Sequence, residues 1–215
     1  MTVGTALLVI AKAPVAGRSK TRLCPPCGPT EAAALARAAL VDTLETVAST
    51  PASRRVLALD GAVGPWLPPG FEVLPQQGGG LDQRLAAAFD DVGPPALLIG
   101  MDTPQVTSSL LARCVAALEE DHVDGVLGPA ADGGFWAVGL RRPDPEAFLG
   151  VPMSTGATGA IQRARLVALG LRVAMLPMLR DIDVIADAAV VAAQAPTTRF
   201  AAELRALGSS LEDVV

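Results

Sequence analysis

The sequence predicts an α/β domain built on a mostly parallel sheet with helices on both faces. Short apolar runs alternate with longer helical segments along the 215 residues, which is typical of strands joined by helical crossovers. Hydrophobic residues make up 51% of the chain and charged residues 18%, so a large core is available. We find no internal repeat and no linker. Residues 1–215 are therefore predicted to form a single domain.

Seven apolar runs have the length and composition of strands. The first, Thr5–Ile10, is rich in β-forming residues and is followed by Pro14 and Gly17, which end it. The strongest strand signal, Ala96–Gly100, brings Asp102 to the edge of the predicted sheet. The other predicted strands are Arg55–Asp60, Phe71–Leu74, Gly125–Gly128, Phe135–Leu140 and Leu171–Leu176.

Helices are predicted between most of these strands. Thr30 is expected to cap a long helix that places Glu31 at its positive N-terminal end. Three glycines, residues 78–80, precede a helix from about Leu81 to Asp91. The other predicted helices span residues 106–120, 157–169, 185–194 and 199–207. Because ligands of such sheets bind beyond the carboxyl ends of the strands, the loops that follow the strands are the places to search.

Composition and charge exclude several function classes. The net charge of −5 and a pI near 4.9 provide no basic field that would attract DNA or RNA. Aromatic residues make up only 3% of the chain, so stacking platforms for single strands are not expected. No apolar run approaches the roughly 20 residues that span a bilayer, and Met1 to Gly4 contain no basic leader. We therefore expect a cytoplasmic protein without nucleic-acid or membrane partners.

Cys24 and Cys27 have the CxxC spacing found in zinc and redox sites. A structural zinc ion normally needs four ligands, and only Cys114 and His122 remain, both far along the chain. The two prolines between the first cysteines favour a loop over the helix start of a redox motif. We interpret the pair as part of an ordinary loop.

A basic loop follows the first predicted strand. Its cations are Lys12, Arg18, Lys20 and Arg22, and Gly17 allows a turn among them. Backbone amides and cations of this kind suit a diphosphate or a triphosphate, although a solvated basic loop is the alternative. The loop matches neither a P-loop nor a dinucleotide-binding fingerprint.

Asp102 follows the strongest predicted strand, in the segment Gly-Met-Asp-Thr-Pro. A carboxylate at a strand end is well placed to hold Mg²⁺, which takes one or two carboxylates and completes its shell with waters and phosphates. The alternative is that Asp102 caps the helix predicted at residues 106–120, several residues further on. The position favours the metal ligand.

A second polar turn contains Asp132, Gly133 and Gly134, followed by Phe135 and Trp136. Asp-Gly-Gly is also an ordinary hairpin turn. Two adjacent aromatics in a chain that has few favour a segment that faces a ligand. Asp132 is predicted to bind acceptor hydroxyls or to act as a base, and Gly133, Gly134 and Trp136 to line the acceptor site.

Further candidates are acidic or carry amides. Asp181 and Asp183 lie on one side of a predicted extended segment, and one of them could complete the metal site begun by Asp102. The alternative is that Asp183 caps the following helix. The amides of Gln76 and Gln77 are candidates for reading the edge of a base.

Five segments together resemble a bacterial glycosyltransferase-like family of the nucleotide-diphospho-sugar transferase superfamily, the radical-SAM/selenodomain-associated transferases 1, which are linked to arsenosugar biosynthesis. The matching segments, in chain order, are KAPVAGRSKTRL, GGGLDQRL, GMDTP, GPAADGGFWAVGL and DIDVIADAA. The family's last motif usually continues as Thr-Pro-Glu after the second aspartate. Here Val184, Ile185 and Ala186 stand in that place.

The resemblance implies a GT-A fold, a nucleotide or nucleotide-sugar donor, and a divalent metal such as Mg²⁺ or Mn²⁺. Carried over to this sequence, Lys12, Lys20 and Arg22 would face the donor phosphates, and Asp102 would hold the metal. Asp183 would be a second ligand.

Two transfer reactions remain after the resemblance. Glycosyl transfer from a nucleotide-diphospho-sugar to a small-molecule acceptor is favoured slightly, with Lys20, Arg22 and Asp132 as the catalytic residues. Nucleotidyl transfer is the alternative, because guanylyl- and cytidylyltransferases of this fold carry a similar basic loop. A third hypothesis is a nucleotide-binding domain without activity. The sequence implies no particular oligomeric state.

Overall fold

A seven-stranded sheet lies at the centre of residues 4–212, the part of the chain that this computed structural model describes. Its strands are β1 Ala6–Lys12, β2 Arg55–Asp60, β3 Glu72–Pro75, β4 Ala96–Gly100, β5 Gly125–Pro129, β6 Phe135–Leu140 and β7 Val173–Met175. Most residues of β1, β2 and β4 are buried. Continuous burial explains why these strands are uninterrupted apolar runs rather than alternating ones.

Six α-helices and two short 3₁₀ helices, Thr21–Leu23 and Pro145–Ala147, accompany the sheet within residues 4–212. The α-helices are α1 Pro29–Ala48, α2 Leu81–Val92, α3 Ser108–Glu119, α4 Thr158–Ala168, α5 Ile185–Gln194 and α6 Arg199–Glu212. Within the same residues, no helix has the length and apolar character needed to cross a membrane.

The strand order is β3-β2-β1-β4-β6-β5-β7. The pairs β3/β2, β2/β1, β1/β4 and β5/β7 are parallel, whereas β6 runs antiparallel to both of its neighbours. The register sets Lys12 beside Asp60 and Ile10 beside Gly100. The carboxyl ends of β1, β2 and β4 therefore meet at one edge of the sheet, and the predicted mostly parallel α/β fold is confirmed.

Helices cover both faces of the sheet. On one face, α1 and α3 pack onto Leu7 and Val9 of β1. On the other face, Leu8 contacts a cluster to which α2 and Phe148 contribute, and the ring of Phe148 stacks on Phe89 with centroids 5.0 Å apart. A third cluster joins α1 to α5 and α6 through Phe200. The two-sided cover predicted from the sequence is confirmed.

The prediction that Thr30 caps the first helix is wrong. The helix begins one residue earlier, at Pro29, and Gly28 is the capping residue. The proline ring already has the helical φ, and its missing N–H would have no partner in the first turn. The carboxylate of Glu31 accepts the N–H of Gly28 at 2.6 Å, so the acidic residue stabilises the helix start as expected.

Other element bounds differ by a few residues. The strand predicted at residues 171–176 is limited to β7, which is half-exposed at the edge of the sheet. Helix α3 begins at Ser108 because the hydroxyl of Thr107 caps it by accepting the N–H of Leu110. Helix α6 continues past the predicted end at residue 207. Residues 1–3 and 213–215, on which the predictions for the N-terminus and for the domain ends depend, lie outside the described residues.

Candidate active site

A cavity of about 580 Å³ opens at the carboxyl ends of β1, β2 and β4. Lys12, Asp60 and Gly100, which end these three strands, all line it. A second cavity of about 270 Å³ shares Lys12, Arg22, Asp102 and further residues with the first, so the two form one depression. Its place is the one expected for ligands of an open parallel sheet.

The basic loop forms one wall of this depression. Arg18, Lys20 and Arg22 line the smaller cavity, and Lys12 and Arg22 also line the larger one. Gly17 adopts a left-handed φ of 74° at the turn of the loop and does not line either cavity. The loop thus brings four cations to one side of a cleft in an acidic protein.

Two of these cations contact carboxylates. The ammonium of Lys20 lies 2.9 Å from Oδ1 of Asp102, and it also donates to the backbone carbonyl of Ile182. Arg22 donates to Asp183 across 2.7 Å. The Lys20 side chain is only 14% exposed, so its charge needs a partner. The basic loop is therefore fastened to both predicted metal ligands.

A short C-terminal segment completes the acidic side of the site. The N–H of Ile182 donates to the backbone carbonyl of Asp102 across 3.0 Å, which sets Asp181 and Asp183 beside the end of β4. Burial is the largest cause that raises the pKa of Asp181 to about 6, and the negative charges of Asp132 and Asp102 act in the same direction, while Lys20 opposes them. Like charges crowded into a half-buried site favour the binding of a cation.

Capping does not explain these aspartates. Helix α3 is capped by Thr107, several residues beyond Asp102. Helix α5 follows Val184, whose N–H is accepted by Asp187 rather than by Asp183. Neither Asp102 nor Asp183 is therefore a helix cap, and both side chains line the cleft.

The carboxylates fit a divalent ion in their chemistry. Oxygen donors are those that Mg²⁺ and Mn²⁺ prefer. Oδ1 of Asp102 is buried and makes no hydrogen bond of good geometry, although Lys20 lies close to it. Within residues 4–212, no three His, Cys, Asp or Glu side chains are already arranged around one point. Protein ligands alone would thus be few, and substrate phosphates would supply further oxygens.

The Asp132 turn lines the opposite wall. Oδ1 of Asp132 accepts the N–H of Gly134 across 2.7 Å, so the residue both forms a turn and faces the cleft, and its Oδ2 remains available. Gly133 has φ of 92° and its carbonyl accepts the N–H of Gly159 at the start of α4. Gly133 itself does not line the cavity. The turn is thereby docked on α4.

Trp136 also lines the cavity, but its side chain is only 2% exposed. The indole N–H donates to the carbonyl of Pro177 across 2.9 Å, and the ring lies against Gly128, where a Cβ would come within 2.6 Å of Nε1. Trp136 therefore fixes the strand that carries the turn, which limits its own contact with a ligand.

The predicted base-reading amides are engaged elsewhere. The amide nitrogen of Gln76 donates to the carbonyls of Ala11 and Ala58, across 2.7 and 3.0 Å. Gln76 lines the cavity but has no amide hydrogen left for a ligand. The amide of Gln77 donates to Asp91, outside the cavity lining.

Several lining residues were missed by the sequence reasoning. Asp60 and Arg84 form an ion pair of 3.0 Å in the wall made by β2 and α2. On the far side, Ser154 and Thr155 precede α4, and Ser154 has a left-handed φ of 59°. The run of Ser, Thr and Gly at residues 154–156, shortly before a helix, is the signal that could have identified this loop.

The chain is similar to solved structures over nearly its whole length. It matches a protein of Desulfovibrio desulfuricans G20, provisionally assigned as a nucleotide-diphospho-sugar transferase, with 25% identity, a TM-score of 0.84 and 97% of each chain covered. A cytidylyltransferase of Leptospira borgpetersenii matches with 12% identity and a TM-score of 0.59, covering 98% of this chain and 96% of that one. These likenesses confirm the nucleotide-diphospho-sugar transferase fold.

A third structure, of CMP:2-keto-3-deoxy-manno-octonic acid synthetase complexed with CTP, has the same fold. Its identity is 11% and its TM-score 0.55, over 88% of this chain and 98% of that one. No curated protein matches this chain. Residues 33–155 match the family described as uncharacterized proteins conserved in bacteria, DUF2064. These residues are more than half of the chain, and the protein therefore belongs to the DUF2064 family.

Proposed function

We propose that this protein is a nucleotide-dependent transferase that moves a glycosyl group from a nucleotide-diphospho-sugar to an uncharged small-molecule acceptor. The observation that carries the proposal is the separation of charge across the depression. All the cations in its lining are Lys12, Arg18, Lys20, Arg22 and Arg84. These cations come from the basic loop and α2. The opposite wall, formed by segments that follow β4 in the chain, contributes aspartates.

The cationic wall suits the donor. The diphosphate is negatively charged in the donor and in the leaving group. Lys and Arg side chains stabilise this charge as the bond to the sugar breaks. Among residues 4–212, Lys12 has no carboxylate partner, whereas Lys20 and Arg22 of the same loop pair with Asp102 and Asp183. These three cations are the proposed phosphate ligands.

The acidic wall suits a neutral acceptor. Asp132 and Asp181 line it, and no Lys or Arg of the described residues accompanies them there. A phosphorylated acceptor would meet the negative charge of these carboxylates, which Lys20 offsets only in part at Asp181. A hydroxyl acceptor instead could give its proton to Oδ2 of Asp132 as its oxygen attacks the sugar carbon and the nucleoside diphosphate leaves.

We further propose that Asp102 and Asp183 hold Mg²⁺ or Mn²⁺ together with the donor phosphates. When bound, such an ion neutralises the charge that develops on the leaving diphosphate. Release of Lys20 and Arg22 from the two carboxylates would free both cations for the same phosphates. The resemblance of the sequence to radical-SAM/selenodomain-associated transferases supports the same donor class.

Nucleotidyl transfer is the second candidate. The observation that favours it is the density of cations in the basic loop, which also suits the triphosphate of a nucleoside triphosphate. A binding domain without activity is the third, and it would bind nucleotides without consuming them.

The test is a thermal-shift screen of nucleotide-sugars and nucleoside triphosphates, each with and without Mg²⁺ or Mn²⁺, followed by turnover of the ligands that bind. Metal-dependent stabilisation by a nucleotide-sugar, with release of the nucleoside diphosphate on addition of neutral acceptors, supports glycosyl transfer. Stabilisation by a free triphosphate alone favours nucleotidyl transfer instead. Absence of any response contradicts the donor hypothesis.

Asp102→Asn distinguishes an enzyme from a simple binding domain. The substitution should lower turnover about a hundredfold or more if the carboxylate holds the metal. Asp90→Asn is the matched control, because Asp90 is exposed on α2 and does not line the cavity. Full turnover by Asp102→Asn would refute the metal assignment.

A further inference from the structure

Arg84 lies in the wall of the cavity that α2 and β2 form, away from the basic loop. One terminal nitrogen of its guanidinium donates to Asp60 across 3.0 Å and to Oε1 of Gln76 across 3.2 Å. The side chain is 32% exposed and lines the cavity. Neither of its partners is a phosphate-binding candidate.

The two partners are themselves fixed by the sheet. Gln76 donates to the carbonyls of Ala11 and Ala58, and its backbone N–H donates to Leu59. The carbonyl of Asp60 accepts the N–H of Ala13 across 2.8 Å. The orientation of the guanidinium is therefore set by the backbones of β1 and β2, so little side-chain freedom remains to be lost on binding.

The rest of the guanidinium is unengaged. Its Nε and second terminal nitrogen have no hydrogen-bond partner among residues 4–212. Together these two nitrogens form a fork of parallel N–H donors, which binds two adjacent acceptors in one plane. Leu81 and Leu85 line the cavity beside it, and Leu81 is 41% exposed. Apolar surface next to a planar donor fork suits a flat heterocycle.

The guanidinium fork of Arg84 also lies apart from the basic loop, which is the proposed phosphate site. Asp60 ends β2 and Asp102 follows β4, with β1 between them. Two strand spacings amount to roughly 10 Å. That span suits a nucleoside whose base lies at α2 while its phosphates lie at the basic loop.

We propose, on the basis of the proposed function, that Arg84 is the residue that selects the base of the nucleotide. Two adjacent acceptors are present in guanine, as O6 and N7, and in cytosine, as O2 and N3. Uracil and adenine carry no such pair, because a donor or a C–H group separates their acceptors. Arg84 thus favours a guanine or cytosine nucleotide, and Gln76 and Asp60 are its positioning residues.

The experiment measures the affinities of GDP, CDP, UDP, ADP and pyrophosphate, with Mg²⁺ present, for the intact protein and three variants. The unchanged protein should bind GDP or CDP at least about tenfold tighter than UDP and ADP. Arg84→Ala and Arg84→Lys should lose this preference while the pyrophosphate affinity stays within about twofold. Arg84→Lys keeps the charge without the fork, and it remains informative if Arg84→Ala does not fold.

Arg54→Ala is the matched control. Arg54 also pairs with a carboxylate, that of Glu72 at 2.7 Å, but it lies outside the cavity. Its removal should leave every affinity unchanged. A preference for UDP or ADP, a base preference that survives both Arg84 variants, or a parallel loss of pyrophosphate affinity would each overturn the proposal. Failure of the unchanged protein to bind any nucleotide would instead refute the proposed function itself.

Discussion

At the scale of single residues, Lys20 is constrained by its burial, its contacts and its backbone conformation. Its ammonium is nearly enclosed between the carboxylate of Asp102 and the carbonyl of Ile182, and its backbone has a left-handed φ of 49°. A non-glycine residue in that conformation costs free energy, which its contacts must offset. A cation bound by Asp102 would have to displace this ammonium.

Lys20→Met should therefore change metal and phosphate affinities in opposite directions. Without nucleotide, the affinity for Mn²⁺ should rise about five- to tenfold, because the carboxylate of Asp102 loses its competing cation. The affinity for a nucleoside diphosphate should fall. Calorimetric titration of each ligand measures both effects.

Lys12→Met is the control for that experiment. Lys12 lines both cavities but has no carboxylate partner among the described residues, so its removal should weaken nucleotide binding and leave the Mn²⁺ affinity unaltered. An unchanged Mn²⁺ affinity in Lys20→Met would show that the ammonium does not compete with the metal.

Asp124 provides a prediction of pH dependence away from the cleft. Hydrogen bonds from the side chain and backbone of Arg172 hold the pKa of the Asp124 carboxyl well below its usual range. A lowered pKa in the folded state contributes stability above the unfolded pKa, near 4, and that contribution is lost as the pH falls through the folded pKa. The pair is partly exposed to solvent, so the contribution is small.

Asp124→Asn should accordingly lower the Tm by about 1–2 °C at pH 7. Thermal unfolding of both proteins, measured from about pH 2.5 to about pH 8, tests this expectation. The difference should be constant above about pH 5 and should shrink below pH 4. A difference that grows as the pH falls would contradict the sign.

Much of the residue-level site could be predicted because strand ends are visible in the sequence. Lys12 and Asp102 directly follow buried apolar runs, and both line the cavity. Asp60 also ends a strand, yet its pairing with Arg84 depends on β2 lying beside β1. The order of strands in a sheet is not written in any local pattern, so that pair could not be foreseen. The roles of all these residues stay predictions.

At the scale of elements, apolar runs predicted where the strands lie in the sequence but not which strands pair in the sheet. The bounds of β2, β4 and β6 are those predicted. The insertion of β6 between β4 and β5, antiparallel to both, was not predicted. A buried apolar run has the same pattern whether its strand pairs in parallel or antiparallel. Only the tertiary structure determines the direction of pairing.

The contact between the Asp132 turn and α4 is a further property of elements. A Cβ on Gly133 would come within 2.0 Å of the carbonyl oxygen of Gly156. Gly170, at the end of α4, has a similar φ of 79° but open space around it. The two glycines therefore share a positive φ and differ in their packing.

Gly170→Ala should cost about 1–2 kcal/mol of the free energy of unfolding, for the left-handed backbone alone. Gly133→Ala should cost at least about 2 kcal/mol more, because the turn must also move away from the carbonyl of Gly156, which precedes α4. Urea unfolding measures both values, and ligand binding should weaken only in Gly133→Ala. Equal costs for the two variants would contradict the tight contact.

At the scale of the whole molecule, one buried carboxylate connects α1 to α6. Asp42 in α1 accepts the N–H groups of Arg199 and Phe200 at the start of α6, across 3.0 and 2.9 Å. Burial raises the pKa of Asp42, while these two hydrogen bonds lower it. The first long helix thereby caps the last one.

Asp42→Ala should lower the free energy of unfolding by about 2 kcal/mol, since two N–H groups lose their acceptor. Asp42→Asn, which keeps one acceptor oxygen, should cost less. We propose that the chain is a single domain, and a single unfolding transition in all three proteins is then expected by calorimetry and circular dichroism. Separate loss of the α5–α6 region in Asp42→Ala would contradict that proposal.

The segment Asp181–Asp183 has a consequence for biosynthesis. It completes the cleft by pairing with Asp102 and Arg22, yet it leaves the ribosome long after the loop that it fastens. A nascent chain that ends before this segment has the β1 loop and the end of β4 but no complete cavity. Ligands that need the complete cavity can therefore stabilise only chains synthesised beyond Asp183, and a chain that terminates before this segment gains no such protection.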